Sequence, residues 1–248
     1  MSLETPAGVK NPSAPKFSWD YDVPEIPFWS DLKYTTGRNF LQCYNEGEIM
    51  AMDPDFDGMG SAVKQDKLRF LLEKLRGKFS SRDAAAGPRG LAITDYPQWM
   101  KLTLARMTVL SELGMQTEQE AAIQAMMDTP NPAKPGVVNI SAVNMMAALK
   151  EEQGLFAEAE ELSRKVVPVF DEMMGADSPP SQGARRNLIS CIWKAGKPDE
   201  AKRLAEETRL VIDAMGEKQS QYLKYQDDER KYLDEAMADL EAWGAKET

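Results

Sequence analysis

The stretch MAALKEEQGLFAEAEEL, residues 146–162, returns 42 residues later as LISCIWKAGKPDEAKRL, residues 188–204. With Gly154 set on Gly196, Met146-Ala147 falls on Leu188-Ile189 and Leu149 on Cys191. Past the glycine, Glu158-Ala159 falls on Glu200-Ala201 and Leu162 on Leu204. Each shared position has a physical task. Glycine accepts the left-handed backbone that closes a helix into a tight turn. The small Ala159 and Ala201 let the second helix approach the first, and the leucines one turn later fill the seam. One hairpin cannot bury its outer apolar face alone, so copies must stack. The expected fold is all-α, built from antiparallel helical hairpins.

Working outward, a looser copy centres on Gly114, 40 residues before Gly154. Trp99, Leu102, Ala105, Met107 and Leu110 precede it and Ala121-Ala122-Ile123 follow, with the Glu120-Ala121 pair displaced by two residues. Apolar periodicity and turn signals predict helices over 97–113, 117–127, 139–153, 157–174, 182–195, 199–214 and 218–243. The breaks are Gly114, the Pro130/Pro132/Pro135 cluster, Gly154, Gly175 with Pro179-Pro180, Gly196 and Gly216. The last helix carries Tyr222, Tyr225, Tyr232, Leu233, Ala236, Met237, Leu240 and Trp243 on one side, as a terminal cap requires.

Upstream, helices are predicted over 38–52 and 61–76, the second stopped by Gly77, followed by a surface loop over 80–94. Residues 1–34 are proline-rich, with Phe17, Trp19, Tyr21, Phe28 and Trp29 among the prolines. That composition predicts a flexible leader to Ala14 and then an extended segment whose aromatics dock on the protein's own helices. The alternative is a strap lying in a binding groove. The chain thus divides into 1–34 (extended), 35–95 (helices and loop), 96–216 (repeats) and 217–248 (capping helix).

Composition narrows the chemistry. The 248 residues carry a formal charge of −10 with 40 acidic and 30 basic side chains. A negative field disfavours nucleic acid and anionic membrane and mildly favours a basic partner. There is no histidine, which removes the usual nucleophile activation and proton transfer near neutral pH. Cys43 and Cys191 are too few for a thiolate zinc site or a disulfide framework, so free thiols are expected. No stretch nears the roughly 20 apolar residues of a membrane span, and no secretory leader opens the sequence, so a cytoplasmic location is expected.

These residues carry a resemblance. Ala147, Gly154 and Glu158-Ala159-Glu160, with Asn187-Leu188, Gly196-Lys197 and Glu200-Ala201, resemble the tetratricopeptide repeat. The 42-residue period and the link Gly175-Ala176-Asp177-Ser178-Pro179 are similar to its kinesin-light-chain-like branch. The resemblance covers about 97–216 and departs from the pattern at Lys150, where an apolar residue is usual. It implies a right-handed superhelix of hairpins that acts as a non-enzymatic adaptor, needs no cofactor and binds a protein or peptide in its concave groove. A homodimer is compatible with it.

Groove positions carried over from the resemblance are Ser141, Asn144, Ala148, Glu151 and Glu152 in one copy and Gly183, Arg186, Ser190, Trp193 and Lys194 in the next. The degenerate copy offers Lys101, Thr108 and Ser111. The candidate partner-binding set is Asn144, Arg186, Ser190, Trp193, Lys194 and Lys101. Asn144 and Arg186 suit a peptide backbone or carboxylate, and Trp193 a flat apolar anchor. Replacing Arg186 and Trp193 with alanine is then expected to weaken partner binding without lowering the melting temperature. Equally, Arg185, Arg186 and Lys194 fit simple solvated helix-face charges.

Two rival functions stay open. One is a helical-array enzyme or small-molecule binder using Asp, Glu, Lys and Tyr. The other is a calcium-responsive adaptor built on Asp53-Pro54-Asp55-Phe56-Asp57-Gly58, which opens like a calcium loop. Lys64 stands where the bidentate carboxylate belongs, so an acidic turn between helices is the simpler expectation. The methionine pairs Met126-Met127, Met145-Met146 and Met173-Met174 fit either core packing or an adaptable binding face.

Overall fold

The computed structural model describes residues 20–133 and 137–247, and every regular element among them is helical. The leader to Ala14, Phe17, Trp19 and Pro135 lie outside the described residues. None of the described helices is long and apolar enough to cross a membrane. The chain forms two compact units, Met1–Met115 and Gln116–Thr248.

The first unit holds α1 (Tyr34–Leu41), α2 (Glu46–Gly58), α3 (Lys64–Ala86), α4 (Leu91–Thr94) and α5 (Tyr96–Glu112). Its core is aromatic. Phe28 is fully buried, its ring centroid 4.7 Å from that of Trp29 and 4.8 Å from that of Phe56. Lys67 of α3 is also buried, and its ammonium donates to the Pro27 carbonyl at 2.9 Å and to Asp31 at 2.8 Å. Phe28 and Trp29 therefore dock inside their own unit, on its helices.

Several boundaries in this unit differ from expectation. The helix expected over 38–52 is two helices, because Asn45 accepts from the Glu48 amide while Glu48 accepts from the Asn45 amide, a reciprocal cap that starts α2. The acidic run 53–58 belongs to α2, with Pro54 inside the helix, and is neither a turn nor a calcium loop. Asp55 pairs with Lys74 of α3 at 3.0 Å. Gly77 does not stop α3, which runs to Ala86 and takes up much of the expected loop.

The second unit holds α6 (Gln116–Asp128), α7 (Ile140–Glu152), α8 (Phe156–Met174), α9 (Pro179–Lys194), α10 (Pro198–Asp213) and α11 (Gln226–Glu247). Consecutive helices from α6 to α10 pack in sequence, and α11 packs on both α9 and α10. The two clear copies close in the same way. Gly154 and Gly196 have φ of +76° and +84°, and the next amides reach back five residues, Leu155 to Lys150 at 2.9 Å and Lys197 to Ile192 at 3.1 Å. Ala159 and Ala201 are both fully buried. Ala159→Leu is therefore expected to overpack the seam and cost about 1–3 kcal/mol, read as a lower urea midpoint. The same change at exposed Ala157 should leave the midpoint alone.

A charge link repeats along this unit. Six residues past the turn glycine, Glu120 accepts from Lys150 at 2.8 Å and from Gln153 at 3.1 Å. At the equivalent place Glu160 accepts from Lys197 at 2.8 Å and from Arg164 at 2.7 Å. Burial works against the Glu160 charge, but those bonds prevail and hold its pKa below the ordinary value. Lys150, unusual for an apolar position, is thus the cation that ties α7 to α6. In the degenerate copy Gln119, not an alanine, takes the place of Ala159; it is buried, and the division between units falls at the preceding turn.

Two starts moved. Helix α9 begins at Pro179 because the Ser178 hydroxyl caps the Ser181 amide and proline at the first helical position has no amide to lose. Helix α11 begins at Gln226, since residues 214–225 form a connector. Tyr222 is buried there and donates to the Met174 carbonyl at 3.0 Å.

Candidate functional site

Helix α9 presents Arg186, Asn187, Ser190 and Lys194 on one face, the spacing of successive turns. Helix α11 presents Tyr232, Ala236, Asp239, Leu240 and Trp243, again one face. Together with Glu151 near the end of α7, these residues line an open cleft of about 390 Å³ within the second unit. The helices run parallel: Arg186 meets Glu229 near the start of α11, and Trp193 lies against Gly244 near its end.

Glu151 organises the α7 side. Its carboxylate accepts from the Ser190 hydroxyl at 2.5 Å and from the Lys194 ammonium at 2.7 Å, with the Cys191 thiol at 3.6 Å. Burial first, and then the Glu151 charge, push the Cys191 thiol up to about 12, so it stays protonated and is no nucleophile. The Glu/Lys/Tyr combination that an acid–base site would need is present, but Glu151 is occupied by its neighbours and the Tyr232 ring faces Arg186 at 5.4 Å.

At the far end Arg186 is ion-paired with Glu229, whose side chain is 4% exposed. Burial raises the Glu229 pKa, and Arg186 opposes that shift without cancelling it. No family model, curated protein or solved structure matches this chain.

Of the six candidate residues, Arg186, Ser190 and Lys194 line the cleft. Trp193 does not. It is buried, with Gly244 on its indole and the Lys202 ammonium 5.4 Å from the ring centroid. It is a core residue, not an open anchor, because α11 covers the face on which it sits. Asn144 is half-buried on α7 and is not among the lining residues, and Lys101 is exposed on α5 of the first unit. Nor is Arg185 a solvated charge: it pairs with Asp171 of α8.

Asn187, Tyr232, Asp239 and Trp243 were missed. The signal for the last three was available, since 232, 236, 239, 240 and 243 share one helix face. That face is apolar enough to read as a simple cap.

Proposed function

We propose that the second unit is a tetratricopeptide-like interaction module, a right-handed stack of hairpins that seats a short segment of a partner protein in the α7–α9–α11 cleft. It works as an adaptor and performs no chemistry. The observation that supports this most is the convergence of Arg186, Ser190 and Lys194, from one helix of the repeating hairpins, on one open cleft. The fully buried Ala159 and Ala201, 42 residues apart, support the stacking.

Ala236 leaves the room between the walls, so Ala236→Arg should fill the cleft while keeping α11 helical. In a pull-down with the full chain, a partner captured by the native protein should be lost with Ala236→Arg at unchanged melting temperature. Equal capture by both proteins would remove the cleft from consideration.

A further inference from the structure

We propose that the Asp239 side of the cleft seats a cationic side chain, lysine or arginine, of the bound segment; this rests on the cleft being the partner site. The two cations of the lining already have carboxylates. Arg186 is paired with Glu229, and Lys194 with Glu151 at 2.7 Å. An anionic ligand would have to strip one of these carboxylates away.

Asp239, by contrast, has no hydrogen bond or ion pair among the described residues, nor has the Asn187 amide on the facing wall. Trp243 stands one turn beyond Asp239 on the same face, and Ala236 one turn before it leaves space. A cation bonded to the Asp239 carboxylate therefore comes within reach of the indole, and carboxylate and ring attract it together. Asn187 can bond the peptide backbone that carries it. The wider field agrees, because nearly all of the chain's acidic excess falls within residues 116–248.

The test uses the full chain, labelled for nuclear magnetic resonance, and two probes, acetyl-Gly-Arg-Gly-amide and acetyl-Gly-Glu-Gly-amide. The arginine peptide should shift the Asn187, Asp239 and Trp243 signals saturably, and Asp239→Asn should weaken it about tenfold or more. Asp239 is exposed, so the variant should keep its fold. If the glutamate peptide binds the cleft as well or better, or if Asp239→Asn binds arginine unchanged, the cation seat is wrong while the interaction module stands. If neither peptide shifts the cleft, the seat is also wrong; the interaction module then falls with it only if the pull-down shows no dependence on Ala236.

Discussion

Trp193→Ala is expected to lower the stability of the second unit by about 3–5 kcal/mol, the range for deleting a large buried aromatic. Only 8% of Trp193 is exposed, and it belongs to the core cluster with Ile189, Ile192, Leu233 and Leu240. The cluster joins α9 to α11, so the vacated volume lies between two helices held by other contacts, and closing it requires moving one of them. Urea unfolding followed by circular dichroism should show the loss as an earlier transition. An open aromatic anchor would behave differently, with truncation changing stability by less than about 0.5 kcal/mol. An unchanged midpoint would return Trp193 to the groove.

The second large effect belongs to Arg186→Ala, expected to cost about 3 kcal/mol at pH 8. Breaking a buried pair leaves the partner charge without compensation, and Glu229 is the partner here. The guanidinium also lies over the Tyr232 ring, so packing is lost with the charge. The pH dependence gives the cause away. Glu229 already has its folded pKa raised by burial, so its contribution is fully present below the unfolded carboxylate pKa and is lost as pH rises through the folded value. Without Arg186 that folded value climbs further and the fall deepens. The variant should therefore show a smaller deficit near pH 4–5, where only the packing is missing, than at pH 8. A deficit equal at both ends would mean that packing alone is responsible. These two expected results run against the expectation from the sequence that residues 186 and 193 can be truncated without thermal consequence.

The repeated helices of the second unit were legible because the turns between them carry local chemistry. Gly154 and Gly196 mark turns whose backbone excludes most other residues, and Ala159 and Ala201 mark the closest approach. Where boundaries failed, the deciding contact was reciprocal, as at Asn45 and Glu48, nonlocal, as before α11, or a local serine cap, as at α9. Past Gly77 no residue of α3 is buried, and its continuation goes with the helix-forming Ala84-Ala85-Ala86 and with Lys78 reaching Glu48 of α2 at 2.6 Å. The start of α11 depends on Tyr222 reaching Met174, 48 residues away.

The site was half legible for the same reason. The groove positions that the resemblance implies included Arg186, Ser190 and Lys194, which share a helix face whatever covers it and line the cleft. The resemblance could not show that α11 folds back along α9, which buries Trp193 and supplies Tyr232, Asp239 and Trp243 as the opposite wall. Asn144 sits ten residues before its glycine, as Arg186 does, yet α7 meets α9 where α9 meets α11, so equivalent positions have different neighbours.

Carboxylates six places past Gly114 and Gly154 each bind a lysine farther along the chain. Glu120 grips Lys150 and Glu160 grips Lys197, but the third member of the series is Lys202, which turns to the Trp193 ring instead. A further hairpin bearing a cation at its own bend would meet repulsion there. At the third turn the sign of the charge is reversed, so the link made by Glu120 and by Glu160 has no counterpart there.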